Sequence, residues 1–156
     1  MKAPRHVEHR RTCLAYSPGG HLAELERALE GIEFLDCFHV TYGDGRPSTL
    51  PTHRRYRLCH PRRSVLRTIA NAIGALLVLL RERPQLVVST GADVAVPIVL
   101  LSKLFGARIV YIETAAALDG SLSGRLVYPV ADLFIVQWPD QLERYPRAVL
   151  AKGPLL

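Results

Sequence analysis

Cysteine is scarce: Cys13, Cys37 and Cys59 are the only three in a chain of 156 residues. Their number is odd and no CxxC or Cys/His ligand spacing occurs, so neither a disulfide framework nor a metal site is indicated. A reducing cytosol is the simplest home. Long apolar runs are missing too. The longest, Ile69 to Leu80, is interrupted by Asn71. As a helix it spans roughly 18 Å, against a hydrocarbon core of about 30 Å. The basic stretch Met1 to Arg11 has no apolar segment behind it, so no signal peptide and no transmembrane helix is expected. Internal repeats, low-complexity stretches and linkers are also absent. The expected organisation is a basic tail over 1–11 and a single domain over 12–156. Two nucleotide fingerprints fail: GxGxxG counted from Gly19 needs glycines where His21 and Glu24 stand, and no GK[ST] P-loop exists. That argues against a stand-alone dinucleotide enzyme and calls for no cofactor.

What is present is an ordinary globular composition, 49% apolar and 22% charged. The net charge of +6 is concentrated. From Arg46 to Arg67 there are seven arginines, two histidines and no acid. Such a block is either a solvated loop or a surface for an anionic partner: nucleic acid, phosphorylated substrate or acidic lipid.

Strand-like and helix-like segments alternate. Thr12–Tyr16, Leu35–Tyr42, Tyr56–Cys59, Gln85–Ser89, Arg108–Ile112 and Asp132–Gln137 read as strands. Helical patterns run from His21 to about Gly31, from the Pro61/Ser64 start to about Arg83, and from Ala92 to Phe105. A short helix is expected before the last strand. Apolar strands separated by helices predict a Rossmann-like α/β fold: a parallel sheet of about six strands, order 3-2-1-4-5-6, with helices on both faces.

Ligands of such sheets bind beyond the carboxyl ends of the strands, where strand order reverses. Ser17-Pro18-Gly19-Gly20-His21 falls there. The paired glycines bring bare N–H groups to a ligand, and the helix start behind them favours an anion. His21 is either a capping or surface histidine or a group that titrates against a ligand. Ser89-Thr90-Gly91 is either a second anion cradle or a tight βα turn. Glu113, at the end of the fifth strand, bonds a sugar hydroxyl, tunes a base, or is simply solvated. Trp138 either stacks on a sugar or packs against the sheet.

Three segments, CLAYSPGGHLAEL, VVSTGADVAVPIVLLSKLFGARIVYIET and SLSGRLVYPVADLFIVQWPDQLERYPRA, occur in this order. Together they resemble the PssD and asparagine-linked-glycosylation protein fourteen family, from about Cys13 to the end of the chain. The resemblance implies the fold of the N-terminal half of a GT-B glycosyltransferase, similar to that half of MurG. It also implies a role: an acceptor-binding subunit that recruits a donor-binding partner to the membrane. That partner, a GT-B C-terminal half, would hold UDP-N-acetylglucosamine or UDP-glucuronate. The acceptor would be a polyprenyl-pyrophosphate-linked saccharide of exopolysaccharide or lipid-linked oligosaccharide synthesis. By position, Gly19, Gly20, Ser89, Thr90 and Gly91 would bind acceptor, with His21 and Glu113 catalytic. Arg54, Arg55, Arg57, Arg62, Arg63 and Arg67 would meet an anionic membrane, and no nucleic acid is expected. The chain would lie peripherally on the cytoplasmic face. One departure stands out: family members usually carry an arginine shortly after the acid, where this chain has Thr114-Ala115-Ala116-Ala117. The alternative is a non-catalytic scaffold that tethers and activates a partner transferase.

Overall fold

The computed structural model describes residues 6–51, 54–153 and 155. Its centre is a seven-stranded sheet in which every neighbouring pair is parallel. The strands of this sheet are β2 (Thr12–Ala15), β4 (Cys37–Thr41), β5 (Arg54–Arg57), β6 (Leu86–Ser89), β7 (Arg108–Ile112), β8 (Leu133–Val136) and β9 (Val149–Leu150). Their order, β5-β4-β2-β6-β7-β8-β9, is the expected 3-2-1-4-5-6 arrangement with one short strand added at the far edge. The central strands are covered on both faces, so β2, β4 and β6 are occluded at every position.

Helices cover the two faces unequally. On one side α2 (Val65–Glu82), α3 (Val96–Leu104) and α4 (Leu122–Val127) pack on Cys13, Phe38, Val87, Ile109 and Phe134. On the other, α1 (Gly20–Ala28) packs on Leu14, Cys37 and Val88 through Leu22 and Leu25. Beside α1 an apolar groove of about 560 Å³ runs over Leu86, Val88, Val110, Ile112, Leu133 and Ile135. The short α5 (Gln141–Arg144) sits between β8 and β9.

The stretch expected as a tail holds β1 (His6–Glu8), parallel to β3 (Ile32–Phe34). Part of it is therefore integral to the fold. Three-residue strands are too short to show a period, so neither β1 nor β3 is legible in the sequence. The third main strand also sits two residues earlier than expected, on Arg54–Arg57 rather than Tyr56–Cys59. It is an edge strand, where charged side chains are tolerated and block further pairing.

α2 starts and stops as its sequence predicts. Ser64 caps it by accepting from Arg67 N, and Arg83 ends it in the left-handed conformation before Pro84. Its burial pattern is less ordinary. Asn71 and Glu82 face inward, whereas Leu66 is 80% exposed, Leu77 64%, and Val65, Ile69, Ile73 and Leu80 are at least half exposed. No described residue covers that apolar face.

Candidate functional site

The sheet order reverses between β2 and β6, and the two loops leaving these strands are laced together. Thr90 Oγ1 donates to the His21 carbonyl at 2.7 Å. In return His21 Nδ1 lies 2.8 Å from the Thr90 carbonyl. A carbonyl can only accept, so Nδ1 carries the proton and Nε2 is left as the free acceptor nitrogen. The His21 side chain is 27% exposed. Ser89 and Thr90 are fully buried, and Ser89 Oγ accepts from Gly91 N at 3.0 Å.

Gly19 has φ +97°, a conformation that costs an L side chain, and a Cβ at Gly19 or Gly20 would meet nothing within 4 Å. These glycines therefore front open space at the start of α1. Gly91, at φ +101°, is required for another reason: a Cβ there would collide with the Tyr111 hydroxyl. The structure thus brings Gly19, Gly20, His21, Ser89, Thr90 and Gly91 to one edge.

Glu113 ends β7 at the same edge, but its chemistry is inward. It is fully buried and accepts four hydrogen bonds. Oε1 takes Thr114 N at 2.9 Å and Ser121 Oγ at 2.7 Å. Oε2 takes Ser121 N at 3.0 Å and the Tyr145 hydroxyl at 2.8 Å. Burial and then this carboxylate push the Tyr145 phenol well up, so it stays a donor. All four lone-pair positions are occupied. Among the described residues no hydrogen bond or ion pair joins Glu113 to His21.

The acid that does neighbour His21 is Glu24, one helical turn further along α1. Its Oε1 accepts from Ala115 N at 2.9 Å, Thr114 Oγ1 at 3.1 Å and Gln137 Nε2 at 3.2 Å. Gln141 Nε2 donates to the carbonyls of Thr114 and Ala117, both at 2.9 Å. The indole N–H of Trp138 donates to Ala115 O at 2.9 Å. The Thr114–Ala117 loop is therefore pinned along its length, and Trp138 is one of its fasteners. Sequence reading gave no role to Glu24, Gln137, Gln141 or Tyr145. Signals existed: Glu24 lies within GGHLAEL and Gln137 within the VQW element.

The basic block separates into two groups. Arg54 lies at the opposite edge of the sheet, bonded to Asp36 and Glu82, both at 2.8 Å. Glu82 also receives the Tyr56 hydroxyl. Arg46 pairs with Glu26 at 2.6 Å and holds that carboxylate down at about 2. Arg57 meets Asp44 at 3.1 Å, and Arg55 Nε is buried without a hydrogen bond. The block has no acid in sequence because its acids come from other segments. Arg62, Arg63 and Arg67 are exposed at the start of α2, beside its apolar face.

Among the described residues no group of histidines, cysteines and acids could hold a metal ion, and no helix is long and apolar enough to cross a membrane.

A parallel Rossmann-like sheet with its loops converging on the switch point is the build of one half of a GT-B protein. Solved structures agree. Acinetobacter baumannii MurG superimposes with TM-score 0.63 at 14% identity, over 93% of this chain and 44% of that one. The UDP-N-acetylglucosamine 2-epimerase of Neisseria meningitidis, solved with UDP-N-acetylglucosamine, gives 0.65 at 10% identity, over 87% and 43%. Residues 50–154 match the family described as "Oligosaccharide biosynthesis protein Alg14 like", and the chain belongs to that family. Relatives named "UDP-N-acetylglucosamine transferase subunit ALG14" include one from Debaryomyces hansenii, 30% identical over 83% of this chain and 70% of its own length. The Homo sapiens protein is 29% identical over 86% of this chain and 69% of its own length. That of Eremothecium gossypii is 41% identical, but over 55% of this chain and only 43% of its own length.

Proposed function

We propose that this chain is the acceptor-side subunit of a UDP-N-acetylglucosamine transferase working on a polyprenyl-diphosphate-linked saccharide at a membrane surface. The nucleotide-sugar is held mainly by a separate partner that contributes the other GT-B half. The observation that carries this reading is the one-sidedness of the site. His21 is oriented through Nδ1, its Nε2 is free, and the glycine loop beside it fronts open space. In the reaction an acceptor hydroxyl gives its proton to His21 Nε2 as its oxygen bonds to the anomeric carbon of the donor. The bond from that carbon to the diphosphate oxygen breaks, and UDP leaves with the electron pair. The relatives' names support N-acetylglucosamine as the sugar, narrowing the pair of donors the resemblance implied.

The test is an assay with radiolabelled UDP-N-acetylglucosamine and a polyprenyl-diphosphate-linked acceptor, with and without the donor-binding partner. Product is expected only with both chains. Turnover by this chain alone would overturn the two-chain reading.

The apolar face of α2, bordered by Arg62, Arg63 and Arg67, supports docking at the cytoplasmic face of an anionic membrane. Each engaged arginine is worth up to about 1 kcal/mol. Co-sedimentation with phosphatidylglycerol vesicles is expected to exceed that with phosphatidylcholine. It should weaken as salt approaches about 1 M, where the Debye length is about 3 Å. Replacing the three arginines should abolish the preference for anionic lipid, and equal binding to both vesicles in all salts would refute it.

A further inference from the structure

Glu24 is one of the two residues that break the dinucleotide fingerprint, and the fold gives it a partner. Its side chain is 1% exposed, and its two oxygens differ. Oε1 takes the three hydrogen bonds already described, whereas Oε2 is buried and receives none. Oε2 lies 3.7 Å from His21 Nδ1. A buried polar atom without a partner costs about 1–3 kcal/mol, more when charged. Such an orphan in a native fold points to a use. Thr90 O already fixes the tautomer by accepting from Nδ1. A carboxylate behind the same nitrogen adds little while the ring is neutral. It acts once Nε2 takes a proton, because an imidazolium within 4 Å of a buried carboxylate is strongly favoured. The start of α1 opposes that cation, and Glu24 offsets it.

We infer that Glu24 is the positioning residue of the site: on a ring whose orientation Thr90 O sets, it stabilises the imidazolium formed when the acceptor hydroxyl gives up its proton. This rests on the reading of His21 as proton acceptor. The role parallels that of an acid placed behind a catalytic histidine, which never touches substrate. Glu113, closed within its own loop, does not fill it.

The experiment compares Glu24→Gln with the wild-type chain, alone and assembled with its partner. Glutamine keeps the length and an oxygen for the three donors but has no charge. In the assembled enzyme kcat is expected to fall about 100-fold, with acceptor KM unchanged. In a His21→Ala background the same change should cost nothing further. In the full-length chain alone, 15N spectra of the histidine rings should show a smaller doubly protonated fraction of His21 in Glu24→Gln than in the wild type at the same pH. Glu24→Asp, which keeps the charge, should restore most of that fraction. An equal loss of kcat in both backgrounds, an unchanged His21 spectrum in Glu24→Gln, or Asp behaving like Gln would each overturn the inference. If the spectra respond as expected but the assembled wild-type enzyme transfers no sugar, the coupling stands and the transferase reading falls.

Discussion

His21→Ala is expected to lower turnover of the assembled enzyme by at least about 100-fold, the low end of what a positioned general base contributes. The reason is geometric. Thr90 O fixes the proton on Nδ1, so Nε2 is the atom left for the acceptor, and alanine removes it while keeping the bond from Thr90 Oγ1 to the main-chain carbonyl. His21→Gln separates the two roles this ring can play. A glutamine amide can bond a diphosphate or a hydroxyl but cannot take a proton at neutral pH. A base therefore leaves the glutamine variant as slow as alanine, whereas a ligand-binding role leaves partial activity. The measurement is kcat in the two-chain assay, made on variants shown to melt at the wild-type temperature and to bind the partner. Wild-type turnover by His21→Ala would leave the scaffold reading in its place.

Glu113→Ala is expected to act on stability before it acts on rate. Four donors converge on the carboxylate, from Thr114, Ser121 and Tyr145, and alanine leaves them facing each other in a buried space. Each buried donor left unsatisfied costs about 1–3 kcal/mol, so loss of the shared acceptor is expected to cost on the order of 3–5 kcal/mol. In a domain of this size that lowers the melting midpoint by about 10 °C. Tyr145→Phe deletes one of the four bonds and should cost about 1 kcal/mol, with kcat little changed. Thermal melts of the two variants check the ordering. A Glu113→Ala chain that melts like wild type and has lost turnover would restore the catalytic role that the sequence position suggested.

The sheet was legible because its information is local. Apolar runs such as Arg108–Ile112 carry strand character within five residues, and glycines and prolines punctuate them. Strand order then follows from the general habit of such folds. What sequence could not show is which charges meet. The seven-arginine block reads as an unpaired surface, yet Arg54 is tied to Asp36 and Glu82 from segments 18 and 28 residues away. The charge of Arg54 and Arg55 also hid the start of β5. At the site the same limit applies. His21 follows β2 and Glu113 ends β7, with β6 between them, and both read as site residues from their place at one sheet edge, but side-chain direction decides the matter. Glu113 turns into the loop that runs to Ser121, and Glu24, apparently an ordinary helix residue, turns toward the histidine. The i, i+3 spacing of His21 and Glu24 on one helix was the available clue.

The seam between β2 and β6 has a bearing on how the protein is made. Thr12 lies opposite Leu86 and Ala15 opposite Ser89, so this pairing closes a long loop that contains the whole β4–β5 side of the sheet and α2. Such non-local parallel pairings form slowly, because the entropy of closure is lost before any contact rewards it. The two hydrogen bonds between His21 and Thr90 cross the same seam, 69 residues apart in the chain. A nascent chain that has emerged only through α2 already carries the glycine loop and the histidine but nothing to fix the ring. Chemistry therefore becomes possible only after the central seam has zipped. A fluctuation that unzipped it would part the two loops of the site, whatever became of the flanking β4–β5 and β7–β8 pairs.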